Sequence, residues 1–189
     1  TLSNLLKEHE QKYHDLTVLT CIVDQPKGYG RILRDASGLV DRIVEQADAS
    51  PEEQAIKEVN TGVYVFNNKI LFEQLVHLSG NNKQGELYLT DVIKMFKNDG
   101  HHVGASILQD SREMLGINDR VQLAEATKIM KQRINHGWML SGVTIEDPDN
   151  TYIGPDVTIG QDTVICPGTP VKPGVRINLV KPRIHGEHG

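Results

Sequence analysis

Residues 24–33 read DQPKGYGRIL, with Gly28 and Gly30 on either side of Tyr29 and Arg31 opening what reads as a strand. Glycine at the start of a strand weakens it unless the backbone must bend sharply or something must lie against it. Taken alone, the two glycines describe a loop with unusual dihedrals. A few backbone amides can also hold a nucleotide or sugar phosphate without a basic surface. The other residues able to do chemistry are scattered. Glu45 reads as a solvated carboxylate on a hairpin, Asn60 as a strand-end amide satisfying its own backbone, and Asn118 as the N-cap of the helix after it. His101 and His102 precede a strand, where adjacent side chains face opposite sides, so they read as surface histidines and not as joint metal ligands. Cys21 and Cys166 lie far apart in apolar surroundings with no histidine beside either, and each reads as a small buried hydrophobe.

The elements that must position these residues follow from periodicity. Leu2, Leu5, Leu6 and Tyr13 form an approximate helical stripe over 2–14, and LTVLTCIV at 16–23 suits a buried strand. RILRD and VDRIVEQ around an ASG turn read as a hairpin. DASPEEQAIKEV predicts a short acidic helical turn with Ser50 as N-cap and Pro51 in the first helical position. NTGVYVFN is a strand, 68–78 a helix, SGNNKQGE a polar loop, and LYLTDVIKMFKNDG a helix closed by Gly100. HHVGASIL is a strand, followed by a long helix of about six turns through NDRVQLAEATKIMKQRINHGWML. Strands alternating with helices predict an α/β fold with a mixed sheet.

From Tyr152 the pattern changes to IGPDVT, IGQDTV, ICPGTP and VKPGVR, each hexad opening on an aliphatic residue. That period is the signature of a hexapeptide-repeat solenoid. The phase fails after Arg176, leaving little more than one coil and an irregular tail over 177–189. Repeats stabilise by stacking, so the chain is expected to be truncated there. It also opens at Thr1 in a helix with no strand before it and no initiator Met, as a trimmed chain or a piece of something longer would.

Composition removes several function classes. With 189 residues the chain is one domain or one domain with an appendage, and 24% charged residues beside 38% hydrophobic ones argue against intrinsic disorder. The net charge is −5 and the Lys and Arg form no stripe, so neither nucleic acid nor an anionic membrane is expected as a partner. No apolar run approaches the roughly 18 residues of a membrane span, and the amphipathic N-terminus lacks the apolar core of a signal peptide. Two distant cysteines cannot form a disulfide framework, which points to a reducing cytoplasm.

GYGRI, IVEQADASPEEQAIKEVNTGVYVF, NNKQGELYLTDVI, LGINDRVQLAEA and GVTIEDPDNTYIGPDVTIG occur here in one order. In these motifs the chain closely resembles bacterial N-acetylglucosamine-1-phosphate uridylyltransferase, from residue 1 to about 170. That family is bifunctional, with a second, glucosamine-1-phosphate acetyltransferase activity, and makes a precursor of the cell wall. The resemblance implies a partial Rossmann-like nucleotidyltransferase domain over 1–118, its sugar-binding half. It further implies a linker helix over 119–141 and the start of a trimer-forming left-handed β-helix over 142–176. Gly30 would present its backbone amide to the sugar, Glu45 would accept hydrogen bonds from sugar hydroxyls, and Asn60 would contact the sugar. Asn118 would help hold Mg²⁺, and Glu86, Tyr88 and Thr90 would line the pocket. No residue stands out as catalytic in itself.

The implied ligands are UDP-N-acetylglucosamine or N-acetylglucosamine 1-phosphate. Self-association through an exposed sheet edge or the β-helix stub is a further expectation. The alternative is a non-catalytic sugar-phosphate or partner-binding module using the same pocket; a small hexapeptide-repeat acyltransferase ranks below both, with one coil and no catalytic histidine on it. The family's glycine-rich loop, with the arginine and lysine that hold the UTP phosphates, has no match here. Neither does the aspartate that gives the first magnesium ligand, nor the coils carrying the acetyl-CoA site. Nucleotidyl transfer needs positioning and charge neutralisation more than a protein base, and this chain holds the positioning groups. It is therefore expected to be inactive alone: a coupled pyrophosphate assay on the purified 189-residue chain should show no turnover, and magnesium-dependent release of pyrophosphate would contradict this.

Overall fold

In the computed structural model, which describes residues 1–178, the chain divides into two units, Thr1–Met114 and a second beginning at Leu115. The first opens with α1 (Leu2–Gln11), then β1 (Leu16–Ile22), whose β-branched run is buried at all positions but the last. The hairpin β2 (Arg31–Arg34) and β3 (Val40–Val44) follows, then α2 (Pro51–Gln54) and β4 (Glu58–Phe66). α3 (Asn68–Leu75), α4 (Asp91–Asn98) and β5 (Val103–Leu108) complete it. The strands form one sheet in the order β3-β2-β4-β1-β5. Only β1 and β5 pair in parallel; β1 with β4, and β2 with both β3 and β4, are antiparallel. The expected mixed sheet is present.

Each sheet face buries a different set of side chains, as strand alternation requires. Leu16, Val18, Ile32 and Ile43 pack against Val92, Ile93 and Phe96 of α4. Leu19, Cys21, Val59 and Leu108 pack on the opposite side with Leu5 of α1. Ser50 caps α2 in a reciprocal capping box with Glu53, with Pro51 in the first helical position, as predicted. Expected helices fall short of their predicted spans: the one over 2–14 ends at Gln11 and leaves Tyr13 exposed with φ +52°, the one over 68–78 stops at Leu75, and the one over 87–100 starts only at Asp91. Leu87 and Leu89 are exposed, and the Thr90 hydroxyl donates to Glu45 Oε1 at 3.2 Å instead of capping α4.

The second unit carries α5 (Arg120–Leu140) and six two-residue strands: β6 (Thr144–Ile145), β7 (Tyr152–Ile153), β8 (Thr158–Ile159), β9 (Val164–Ile165), β10 (Pro170–Val171) and β11 (Arg176–Ile177). They pair in parallel as β6 with β9, β7 with β10 and β8 with β11. The second residue of each strand from β6 to β10 is buried in a cluster that Ile134 and Trp138 of α5 join. The hexad count from Tyr152 therefore missed β6. Asp147–Thr151 interrupts the period, in a turn where Asp147 accepts from the Asp149 and Asn150 N–H groups at 3.1 Å. Cys166 is exposed, a correction to the expected buried hydrophobe, because Ile165 takes the inward position and leaves its neighbour outside. Cys21 is buried as expected, and burial pushes its thiol up. Of the irregular tail expected over 177–189, Ile177 instead belongs to β11, where it pairs with Ile159, and the part beyond Asn178 lies outside the described residues.

The polar tie across the sheet is Glu58. Its carboxylate receives Arg34 Nε at 2.8 Å and Nη2 at 2.6 Å, and the Thr20 hydroxyl at 2.7 Å. Partial burial pushes the carboxyl up, but these hydrogen bonds outweigh burial and hold it below its ordinary value. A depressed carboxylate stabilises the fold above the unfolded-state value and ceases to do so as pH falls through the folded one. Glu58→Gln should accordingly cost roughly 1–2 kcal/mol at pH 7. In urea titrations its gap from the parent should shrink progressively as the pH is lowered from the ordinary glutamate range.

Candidate functional site

The site grows from a junction in the first unit. β2 meets β4 where Arg31 pairs with Val59, and one residue beyond, the Asn60 N–H donates to the Gly30 carbonyl at 2.9 Å. Gly30 is buried, and a side chain there would meet Ile43 Cγ2 at 3.0 Å and the two Glu45 carboxylate oxygens at 3.2 and 3.3 Å. Glycine leaves that space to the Ile43 and Glu45 side chains, which a Cβ would press aside. Gly28 has the other role: its φ is +89°, with open space around it, so it makes the bend. Tyr29 packs on the α1 side of the sheet, with Val59 and Leu19. The aromatic thus anchors the loop on one face and leaves Gly30 to the other.

Asn60 stands inside β4 and not at its opening, at a bulge where β1 advances from Val18 to Thr20 while β4 runs from Tyr64 back to Asn60. Gly62, with φ +78°, turns the bulge. The Asn60 side chain accepts from the Gly62 N–H at 3.0 Å and donates from Nδ2 to the Tyr64 hydroxyl at 2.7 Å. The self-satisfying role read from sequence is therefore real, yet it leaves an amide hydrogen and an oxygen lone pair to spend elsewhere. Burial pushes the Tyr64 phenol up to about 12, the Asn60 hydrogen bond opposes this, and the Glu45 charge adds to it. Tyr64, which orients Asn60, had no signal in the sequence beyond an aromatic four residues on.

Glu45 and Thr90 also border a cavity that Asp48, Tyr88, Asp91 and Lys94 help to line. Burial, then the charge of Asp48, pushes the Asp91 carboxyl up, with Lys94 opposing. Tyr88 is raised by desolvation and then by Asp48, Glu86 and Glu45. The three carboxylates suit hydroxyl donors, and Arg42 and Lys94 share the lining with them. The polar loop closes one side, where the Lys83 N–H donates to Asp48 Oδ1 at 3.0 Å and Lys83 Nζ to the Ala47 carbonyl at 2.7 Å.

Gly30, Glu45, Asn60 and Thr90 are brought together, and Tyr88 shares the cavity with Glu45 and Thr90. Glu86 is exposed and does not line that cavity. Asn118 belongs to the second unit. It is also not the cap of α5: Asp119 is, its side chain accepting from the Gln122 N–H at 2.8 Å, while the Asn118 N–H donates to Gln122 Oε1 at 2.6 Å. The acid one position nearer the helix takes the capping geometry. His101 packs against Phe96 with the rings tilted and their centroids 5.5 Å apart, whereas His102 is exposed. No described helix is long and apolar enough to cross a membrane.

Residues 1–140 match the family model described as nucleotidyl transferase. The chain is 54% identical over 172 residues to the "Bifunctional protein GlmU" of Geobacillus sp. (strain WCH70), and 52% identical over 168 residues to the protein of the same name from Listeria innocua serovar 6a. Those alignments cover 91% and 89% of this chain but 38% and 37% of the relatives, so the chain spans well under half their length. A solved putative glucose-1-phosphate thymidylyltransferase from Bacillus anthracis is similar at 22% identity and a TM-score of 0.46, over 64% of this chain and 45% of that one. Within the junction itself, Gly30→Ala should push Glu45 away and break its bond to Thr90, destabilising the first unit by about 1–3 kcal/mol in denaturant titrations.

Proposed function

The chain belongs to the nucleotidyl transferase family, and from that premise we propose that its first unit binds the sugar side of a uridylyltransfer reaction. In that reaction a phosphate oxygen of N-acetylglucosamine 1-phosphate attacks the α-phosphorus of UTP. A new P–O bond forms as the bond to pyrophosphate breaks, giving UDP-N-acetylglucosamine, a cell-wall precursor. The observation that carries the reading is the convergence of Gly30, Glu45 and Asn60 on one sheet junction, within reach of Thr90.

The proposed roles follow from donor and acceptor chemistry. Glu45 accepts from sugar hydroxyls, for which an ionised carboxylate is suited on both oxygens. Gly30 offers an N–H with no bulk in front of it, and Asn60 offers a donor and an acceptor to a hydroxyl and an acetamido group. Tyr88 and Thr90 form the wall, and Glu86 stands as the weakest of the assignments. Held in this way, the sugar 1-phosphate loses the freedom that a bimolecular transfer would otherwise have to remove at the barrier.

Magnesium is proposed as the cofactor, supplying charge neutralisation on the phosphates when bound. The described residues do not complete a site for it: they include no cluster of three His, Cys, Asp or Glu placed to hold an ion. The Asn118 amide offers one hard oxygen where magnesium takes about six, so Asn118 is assigned as one donor at most. The second unit is proposed as the first coils of a left-handed β-helix that follows a linker helix. Its parallel ladders and inward aliphatic residues support that reading.

Calorimetric titration of the chain with N-acetylglucosamine 1-phosphate or UDP-N-acetylglucosamine tests the assignment. Binding is expected, and Glu45→Gln should weaken it by about tenfold, the equivalent of one good charged hydrogen bond. No heat at millimolar ligand would sink the reading.

A further inference from the structure

Arg31 is 2% exposed, and none of its hydrogen-bond acceptors is a carboxylate. A charge in that position is costly unless its hydrogens are well used. The guanidinium donates from Nη1 to the Tyr29 carbonyl and from Nη2 to Gln46 Oε1 at 2.8 Å. Nε and Nη2 both reach the Gln54 carbonyl at the end of α2, at 3.4 Å. Gln46 Oε1 also accepts from the Gly28 N–H at 3.1 Å. One cation therefore gathers the glycine loop, the residue after Glu45 and a helix terminus.

The Tyr29 carbonyl belongs to the same peptide group as the Gly30 N–H. A trans peptide is planar, with its C=O and N–H pointing opposite ways, so fixing the carbonyl aims the amide. We propose that Arg31 is a positioning residue for ligand recognition: it clamps the Tyr29–Gly30 peptide and directs the Gly30 N–H to the sugar, with Gln46 linking that clamp to Glu45. A charged donor on the carbonyl also polarises the peptide and strengthens its N–H as a donor. An apolar residue of similar volume would fill the same space and fix nothing. Lysine would keep the charge and lose the fork that reaches several carbonyls at once.

This rests on the sugar-binding reading, and the test separates the two. Amide exchange at Gly30 is followed by NMR without ligand, and N-acetylglucosamine 1-phosphate affinity by calorimetry, in the parent chain and in Arg31→Lys, Arg31→Met and Gln46→Ala. Gln46 is half-buried, so Gln46→Ala keeps the test available if the Arg31 variants fail to fold. The clamp predicts Gly30 exchange about tenfold faster and ligand affinity about tenfold weaker in folded variants, the loss of roughly one charged hydrogen bond. Arg31→Lys, which keeps a charged donor, should lose less affinity than Arg31→Met, a gradation that a purely packing role would not give. Folded variants with unchanged Gly30 exchange overturn the clamp, whether or not the parent binds sugar. Faster exchange with unchanged affinity overturns its role in recognition. A parent chain that binds no sugar contradicts the sugar-binding reading alone, and Gly30 exchange still decides the clamp.

Discussion

One backbone hydrogen bond organises the site: the Asn60 N–H to the Gly30 carbonyl, 2.9 Å long, where β2 joins β4. It fixes the register of two strands that carry, or lie beside, Gly30, Glu45 and Asn60, the three residues proposed to recognise the sugar. Arg31 pairing with Val59, and with Val44 on its other side, then brings Glu45 next to Gly30 without any choice left to the loops. A slip of one residue would send Ile43 and Ile32 to the wrong face and break the core as well as the site. Core packing and the proposed recognition site therefore share one constraint. This is why a glycine and a carboxylate separated by fifteen positions lie so near that a Cβ on the glycine would meet the carboxylate oxygens.

The second unit obeys a simpler rule. Short parallel strands place one aliphatic side chain inward per hexad, and the interior closes because a second rung lies on the first. The Asp147–Thr151 turn is accommodated by Asn135, fully buried on α5, which donates from Nδ2 to the Pro148 carbonyl at 2.8 Å and the Thr151 carbonyl at 3.0 Å. A polar side chain inside an apolar cluster is there to receive a turn that breaks the period.

Much of this was legible in the residues. Alternation and turn chemistry located the hairpin, and the Ser50–Pro51 signature located α2, because both are short-range effects written in adjacent residues. The start of α4 was not legible, since Thr90 bonds to Glu45, 45 positions away, and no local pattern reports that. Cys166 was misread because its apolar surroundings in sequence alternate in and out in space. Asn118 was displaced as a cap by Asp119, a competition between neighbours that geometry decides. Tyr64 and Gln46 gave no sequence signal as parts of the site. Arg31 at the head of RILR was visible in the sequence, but its partners lie on three segments.

Gly30, Glu45 and Asn60 are proposed to form one recognition surface. Amide chemical-shift mapping of the chain during titration with UDP-N-acetylglucosamine addresses it directly. The largest shifts are expected at these residues and at Thr90. Shifts concentrated instead in the groove lined by His14, Lys97 and His101, or none at saturating ligand, would contradict it.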